Sequence, residues 1–258
     1  MTAVSVHRVV TGREDGPVVV LSNSLGSTMA MWDANLEDLE GHFRVVRYDT
    51  RGHGGSPVPE GPYDIDDVVD DVVALLDDLG VERAHFVGLS LGGMTGMRLA
   101  AREPDRVDRL VLLCTGAHLE PSSAWHDRAG LVRSDGTNAV AEAVVARWFT
   151  PALLASDPDL KKSSEAMVAA TPAEGYASCC EVIASMDLRH DLPSISAATL
   201  AIAGADDPAT PPPHLAEIAE HVLDGHLLVV PDAAHLANAQ QPGTINPAII
   251  EHLTRERP

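Results

Sequence analysis

The sequence predicts a doubly wound α/β fold, in which a mostly parallel sheet is covered by helices on both faces. Short β-branched runs alternate with longer amphipathic stretches along most of the 258 residues. The short runs are almost continuously hydrophobic, which is typical of strands that are buried on both faces of a parallel sheet. Repeated alternation of strand and helix then indicates a doubly wound arrangement. The length suits one large domain or two small ones.

The individual elements follow from these patterns. Six strands are predicted from the apolar runs at residues 18–23, 43–48, 85–89, 107–114, 199–203 and 227–230. Three helices between them have apolar residues along one face, at residues 66–79, 91–102 and 212–222. The last of these helices begins with prolines, which suit the first turn of a helix.

The alternation breaks between about residues 121 and 193. This stretch contains helical fragments at residues 138–149 and 173–184 and no convincing strand. Because it lies between two strands of the pattern, we interpret it as a helical insertion. The predicted organisation is a core made of residues 1–120 and 194–258, with residues 121–193 as a helical cap.

Composition excludes several classes of function. The 18 lysines and arginines are outnumbered by 38 aspartates and glutamates, which gives a formal net charge of −20. That charge argues against a nucleic-acid partner and against an anionic membrane surface. The apolar runs are too short to cross a bilayer, and no secretion signal is visible at the N-terminus. Three cysteines, two of them adjacent at Cys179 and Cys180, suit a reducing cytoplasm better than a disulfide framework.

A nucleophile motif follows the third predicted strand. Gly88-Leu89-Ser90-Leu91-Gly92 has the Gly-x-Ser-x-Gly pattern in its required strand-turn-helix context. The glycines are needed because side chains two residues away from Ser90 would collide in so tight a turn. The N-terminus of the following helix would offer the amide of Leu91 to an oxyanion. The alternative interpretation is an ordinary glycine-rich turn.

A serine nucleophile needs a base and an orienting acid later in the chain. The loop after the strand at 199–203 contains Asp206 and Asp207, and the loop after the strand at 227–230 contains His235. Both loops leave the carboxyl ends of strands, where open α/β sheets place their sites. His235 is therefore the expected base, although a surface loop histidine is the alternative. From the pattern alone, either aspartate is a candidate for the acid.

Taken together, these residues resemble an α/β-hydrolase, and more narrowly the bacterial 3-oxoadipate enol-lactonases of the β-ketoadipate pathway. The resemblance spans nearly the whole chain. The nucleophile motif marks only the superfamily, whereas three other segments resemble the enol-lactonases more specifically. These segments are Ser22-Asn23-Ser24-Leu25-Gly26, Arg147-Trp148-Phe149-Thr150 and Gly175-Tyr176-Ala177-Ser178.

The resemblance implies an α/β-hydrolase fold and a carboxylic ester hydrolase that needs no cofactor and no metal. It implies that Ser90 is the nucleophile and His235 the base, and that Asp207, the fourth position of a Gly-x-x-Asp loop, is the acid. The amides of Leu25 and Leu91 would stabilise the oxyanion. The insertion matches the cap that covers the active site in relatives. Fewer residues precede the first glycine than relatives usually have, which leaves the presence of a first edge strand open.

Three further side chains have two interpretations each. Trp148 and Arg147 fall on the cap, where a ring and a guanidinium could bind a small lactone that carries a carboxylate. The alternatives are a packing tryptophan and a solvated arginine. Arg51, in Asp49-Thr50-Arg51-Gly52-His53-Gly54, could bind an anion, but a structural role is favoured for it.

The leading functional hypothesis is hydrolysis of 3-oxoadipate enol-lactone to 3-oxoadipate in aromatic-compound catabolism. A carboxylesterase, a carbon–carbon bond hydrolase and a perhydrolase are alternatives within the same fold. A non-catalytic ligand receptor is a more distant alternative, because a pure binder has no need of Ser90, Asp207 and His235 together. The expected partner is a small lactone or ester, with no nucleic acid and no membrane. Homo-oligomerisation is left open.

Overall fold

Seven strands form one sheet in the computed structural model, which describes residues 2–255. The strand order across the sheet is β1-β3-β2-β4-β5-β6-β7. Strand β1 runs antiparallel to β3, and every other neighbouring pair is parallel. The predicted doubly wound, mostly parallel sheet is therefore confirmed. The strands are β1 (Arg8–Gly12), β2 (Val18–Ser22), β3 (Arg44–Tyr48), β4 (Ala84–Leu89), β5 (Val107–Leu113), β6 (Ala198–Gly204) and β7 (Gly225–Val230).

The six predicted strands all form, and burial explains why the central ones were recognisable, whereas β7 was recognised from its apolar run although most of it is exposed or half-buried. All six residues of β4 are buried, and nearly all of β2 and β5 are as well. Strand β1 had not been predicted, because its short sequence is half-exposed and shows no continuous apolar run. It pairs along the outer edge of β3, with Val10 opposite Val46. Strand β1 is thus the edge strand on this side of the sheet.

Eleven α-helices accompany the sheet within residues 2–255. They are α1 (Leu36–Glu40), α2 (Ile65–Asp78), α3 (Leu91–Arg102), α4 (Ser122–Asp135), α5 (Asn138–Trp148), α6 (Pro151–Ser156), α7 (Pro158–Ala169), α8 (Ala173–Ser185), α9 (Pro212–His221), α10 (Ala237–Gln240) and α11 (Pro242–Thr254). The predicted helix at 91–102 matches α3 at both ends. Helix α2 begins at a capping box, in which Asp64 and Asp67 each accept the other's backbone N–H.

Helices α4 to α8 fill the stretch between β5 and β6. Within this stretch, α4 lies against α8 and α5 lies against α7. The Thr137 hydroxyl, between α4 and α5, lies 2.9 Å from Ala169 O and 2.8 Å from Thr171 O at the end of α7. The structure thus has a layer of helices where the sequence predicted one, and we keep the name cap for residues 121–193. The bounds of core and cap stay a prediction.

The order of the strands determines where loops from different parts of the chain meet. Strand β2 lies between β3 and β4. The chain leaves β2 towards β3 on one side and leaves β4 towards β5 on the other, so these two connections run in opposite directions across the sheet. Loops that leave neighbouring strands on opposite sides of the sheet open a crevice at such a point. The loop after β2 and the turn after β4 carry the predicted oxyanion and nucleophile residues.

Arg51 has the structural role that the sequence favoured. Its side chain is fully buried and donates to both carboxylate oxygens of Asp71 on α2, at 2.6 and 2.7 Å. Asp71 also accepts the N–H of Val4 at 2.7 Å. The pair therefore ties the loop after β3 to α2 and to the N-terminal segment. A guanidinium held in this way is not available to a substrate.

Two kinds of feature are absent from the described part of the chain. No helix between residues 2 and 255 is both long enough and apolar enough to span a membrane. Over the same range, no three histidine, cysteine, aspartate or glutamate side chains are grouped so that they could hold a metal ion.

Candidate active site

The turn that carries Ser90 has the strained geometry expected of a nucleophile elbow. Ser90 has a φ of 55°, a region that side chains rarely adopt. A Cβ atom at Gly88 would collide with the carbonyl group of Gly92, and one at Gly92 would collide with the carbonyl group of Ser22. Only glycine fits at both positions, as the sequence predicted. The strain is held by hydrogen bonds on both sides of the turn, from Ser90 N to Leu113 O and from Gly92 N to Asn23 O.

His235 and Asp207 are brought together by the loops after β7 and β6. Nδ1 of His235 lies 2.8 Å from Oδ2 of Asp207, and both side chains are buried. Thr210 completes the arrangement, because its hydroxyl donates to Asp207 Oδ2 at 2.7 Å and lies 3.3 Å from His235 Nδ1. Sequence reasoning missed Thr210, and its position three residues after Asp207 was the only available signal.

Asp207 is held in its ionised form. Burial alone would raise the pKa of its carboxyl group, but the charge on His235 and hydrogen bonds from His235, Thr210 and the N–H of Ala209 outweigh burial and lower that pKa. Asp206 differs in every respect, since its side chain is exposed and only its backbone is bonded, from its N–H to Ala233 O. The geometry thus favours Asp207 over Asp206 as the acid. Its catalytic role stays a prediction.

The predicted oxyanion donors lie on the two segments that meet at Gly92. Leu91 is the first residue of α3, so its N–H has no acceptor within the helix. Leu25 lies in the loop after β2, and the next residue, Gly26, has a φ of 77° and donates its N–H to Nε2 of His53 at 3.0 Å. Burial lowers the pKa of His53, which favours the neutral ring that this acceptor role requires.

Core and cap together line one partly open cavity. The core contributes Ser24, Leu25, Ser90, Thr210 and His235, and the cap contributes Trp125, Arg128, Val144, Arg147, Trp148 and Tyr176. Ser90 and His235 therefore face the same cavity. Trp148 and Arg147 also line it, and their roles in binding substrate stay predictions.

The cap side of this cavity is positively charged. Arg128 and Arg147 both line it, and neither lies within ion-pair distance of a carboxylate of residues 2–255. Burial, and then the charge of Arg128, lowers the pKa of Arg147. The guanidinium of Arg128 is held in place by the ring of Trp125, 4.6 Å away. Sequence reasoning missed Arg128, because α4 has no apolar stripe that would show which residues face inward.

The hydroxyl group of Tyr176 is the other polar feature of this wall. It is fully buried and has no partner with good hydrogen-bond geometry among the described residues. Burial, and then the neighbouring Cys180, raise its pKa, against the charge of Arg128, a hydrogen-bonding contact with the Arg128 side chain and the charge of Arg147. Because its contact with Arg128 is poorly aligned, this hydroxyl is suited to hydrogen-bond a polar group of a ligand.

Comparisons with known proteins agree with this geometry. A family model described as the alpha/beta hydrolase fold matches residues 17–242. The chain is 39% identical to 3-oxoadipate enol-lactonase 2 of Acinetobacter baylyi over 246 residues, which cover 95% of this chain and 92% of that protein. It is 36% identical to 3-oxoadipate enol-lactonase 1 of the same organism over 90% of this chain and 87% of that protein.

A solved structure gives the same result. The crystal structure of the enol-lactonase from Burkholderia xenovorans superposes with a TM-score of 0.95 at 39% identity, covering 97% of this chain and 96% of that one. The predicted resemblance to α/β-hydrolases, and to enol-lactonases among them, is confirmed. The chain belongs to the α/β-hydrolase family, and it is a hydrolase.

Proposed function

We propose that this protein opens the ring of 3-oxoadipate enol-lactone to give 3-oxoadipate, with Ser90, His235 and Asp207 as its catalytic triad. The observation that carries the proposal is the cavity itself. A serine on a strained elbow and a histidine held by a carboxylate lie on one side of it, and two arginines without carboxylate partners lie on the other. The enol-lactone has an ester carbonyl for the first group and a carboxylate for the second.

The chemistry follows from the positions of these groups. His235 takes the proton of Ser90 while Ser90 Oγ attacks the lactone carbonyl, and Asp207 keeps the imidazole in the required tautomer and orientation. The oxyanion accepts hydrogen bonds from the N–H groups of Leu25 and Leu91. Collapse of the tetrahedral intermediate breaks the ring and releases an enolate oxygen, which stays tethered to the acyl chain. An enolate is a better leaving group than an alkoxide, so the bond breaks with little acid assistance. The proton held by His235 then passes to the enolate, which becomes the ketone, and His235 is neutral again for the second half of the reaction.

The second half of the reaction uses the same groups. Water loses a proton to His235 and attacks the acyl carbonyl, and the oxyanion again lies between the amides of Leu25 and Leu91. Collapse then breaks the bond to Ser90, which recovers its proton from His235. The product is a dicarboxylate. No metal and no cofactor is required for either half.

The charge pattern supports an anionic substrate. The protein as a whole has a formal net charge of −20, yet the cap wall of the cavity offers Arg128 and Arg147. Two neighbouring cations without carboxylate partners disfavour each other electrostatically, and a bound carboxylate would relieve this. From the sequence, Arg147 was the candidate for binding this carboxylate, with a solvated arginine as the alternative. We propose that Arg128 shares it, with Tyr176 as a further hydrogen-bond donor.

This activity would place the protein in the catabolism of aromatic compounds, as a cytoplasmic enzyme whose partner is a small lactone. The test is the loss of ultraviolet absorbance of the enol-lactone with the wild-type protein and with Ser90→Ala. We expect turnover with the wild type and none above background with the variant. A panel of neutral esters, carbon–carbon ring-cleavage products and peracid-forming substrates run in parallel tests the alternatives. Turnover of one of these in preference to the enol-lactone would contradict the proposal.

A further inference from the structure

The backbone on both sides of His235 is bonded to the cap. His235 N donates to Arg147 O at 3.4 Å, and Leu236 N donates to Trp148 O at 2.8 Å. These two carbonyl groups belong to the last turn of α5, where carbonyls have no acceptor role within the helix. Arg147 and Trp148 also present their side chains to the cavity. Backbone hydrogen bonds therefore connect the loop that carries His235 directly to the cap wall of the cavity.

Gln240 adds the third connection. Its Oε1 accepts Ala234 N at 3.1 Å and Thr150 N at 3.3 Å, and its Nε2 donates to Thr150 Oγ1 at 2.6 Å. Thr150 lies two residues after Trp148 and caps the start of α6. One half-buried side chain thus bridges the residue before His235 and the cap segment that follows the cavity wall. With the two backbone bonds above, three consecutive N–H groups, from residues 234 to 236, are held by Gln240 or by the cap.

We infer that Gln240 is a positioning residue, which keeps His235 in register with the cap wall that carries Arg147 and Trp148. The inference rests on the proposed roles of Ser90 and His235 and deepens them. Gln240 does not line the cavity and touches no reacting atom, so its effect passes through the backbone of residues 234–236.

The expected consequence is kinetic. A shift of His235 away from Ser90 weakens proton transfer in each half of the reaction but leaves the cavity walls that bind substrate largely in place. A displacement of about 1 Å at a reacting group can lower the rate by roughly 100-fold. Loss of the Gln240 bridge should therefore lower kcat and change KM little, for a charged and for a neutral substrate alike.

Three substitutions and a matched control test this. Gln240→Met keeps the size of the side chain and removes all three hydrogen bonds, and Thr150→Val removes the hydroxyl link from the cap side. Gln240→Glu keeps both acceptor interactions, with the Thr150 hydroxyl now donating to the carboxylate. The control is Gln241→Met, because Gln241 is the adjacent glutamine and its Nε2 bonds only to Asp232 O, at 3.0 Å. All four are assayed with enol-lactone and with 4-nitrophenyl acetate.

We expect Gln240→Met to lower kcat roughly 10- to 100-fold on both substrates with KM unchanged. Thr150→Val should show a smaller loss, and Gln240→Glu and Gln241→Met should stay close to wild type. Hydrogen exchange of the peptide that spans residues 234–236 gives a second readout, with faster exchange expected in Gln240→Met only. Wild-type kcat in Gln240→Met, or an equal loss in Gln241→Met, would overturn the inference. If the wild-type protein hydrolyses 4-nitrophenyl acetate but not enol-lactone, the proposed substrate is contradicted. The ester assay then still tests the role of Gln240.

Discussion

At the scale of single residues, the orientation of the proposed base depends on Asp207 and on the group that orients Asp207 in turn. Oδ2 of Asp207 lies 2.8 Å from His235 Nδ1 and accepts the Thr210 hydroxyl, while its Oδ1 accepts two backbone N–H groups of the same loop. The carboxylate therefore has one fixed orientation. Because its pKa is lowered, it stays ionised throughout the neutral and mildly acidic range.

The two neighbouring aspartates give the first prediction. Asp207→Asn removes the charge that fixes the His235 tautomer and should lower kcat by roughly two orders of magnitude or more, with the fold intact by circular dichroism. Asp206→Asn is the matched control, since that side chain is exposed, and it should be nearly silent. The reverse result in steady-state assays would mean that the loop after β6 has been assigned one residue out of register.

The arginines of the cap give the second prediction. Arg128→Ala and Arg147→Ala should each raise KM for the carboxylate-bearing lactone roughly 10- to 100-fold, because a charge-assisted hydrogen bond contributes about 1.5–3 kcal/mol. Neither change should affect a neutral ester of similar size by a comparable factor. Steady-state kinetics on the two substrates decide this. An equal loss on both, or no loss on either, would show that the carboxylate is bound elsewhere.

Much of the site could be predicted at this scale, and the reason is local. The Gly88–Gly92 turn and the positions of Asp207 and His235 after strands are properties of short segments, so the sequence alone indicates them. Arg128 and Tyr176 reach the cavity only because α4 and α8 pack together over the core. That packing depends on contacts between distant segments, and no local pattern reports it.

At the scale of elements, the cap is held together by charge as well as by apolar contact. Arg133 on α4 donates to Glu174 on α8 at 2.9 and 3.0 Å and to Glu181, one to two turns further along α8, at 2.5 and 2.9 Å. Hydrogen bonds from Arg133, opposed by burial, lower the pKa of Glu174 to about 2. These ion pairs explain how α4 packs without the apolar stripe that would have made it predictable.

The third prediction concerns the pH dependence of the ion pair between Arg133 and Glu174. Because the pKa of Glu174 is lower in the folded protein, its contribution to stability is complete above its usual pKa of 4.5 and is lost as pH falls towards about 2. Glu174→Gln should lower the free energy of unfolding by roughly 0.5–1 kcal/mol at pH 7, since the pair is partly solvent-exposed, and this difference should shrink below pH 4.5. Thermal melting of both proteins across this pH range measures it.

Glu220→Gln is the control for that experiment. Glu220 is an exposed residue of α9 without a described ion pair, so its substitution should change Tm little at any pH. A difference in Tm between wild type and Glu174→Gln that is constant from pH 7 to pH 3, or that grows on acidification, would contradict a stabilising ion pair between Arg133 and ionised Glu174.

Buried elements with a regular apolar pattern were the easiest to predict from the sequence, and the largely exposed β7 was predicted from its apolar run alone. Helix α3 was located at both ends, because it lies against the sheet and begins at a strained serine that fixes its start. The sequence analysis missed four short elements, β1, α1, α6 and α10. Each has six residues or fewer and is only partly buried. Their positions are decided by the neighbours to which they bond.

At the scale of the whole molecule, the net charge opposes binding of the proposed anionic substrate, whereas the charges that line the cavity favour it. The formal net charge of −20 repels an anion at long range, whereas Arg128 and Arg147 attract it only at short range. Salt screens the first effect more than the second, because the Debye length is about 10 Å at 0.1 M ionic strength and the arginines are partly buried.

The fourth prediction follows from this difference. Raising the ionic strength from a very low value to about 0.1 M should increase kcat/KM for the anionic lactone, or leave it unchanged, and should not affect a neutral ester. Stopped-flow or steady-state measurements at a series of salt concentrations test it. A fall in kcat/KM for the lactone with added salt would mean that the cavity arginines, and not the whole-molecule charge, govern the encounter.

The central claim is that Ser90 attacks the carbonyl of a lactone whose leaving group remains attached. Rapid-quench mass spectrometry of the protein mixed with enol-lactone tests this most directly. Because ring opening leaves the enolate tethered, the transient adduct should have the mass of the intact substrate and should lie on the peptide that contains Ser90. It should be absent in Ser90→Ala. An adduct on another residue, an adduct of smaller mass, or turnover that persists in Ser90→Ala would contradict the account.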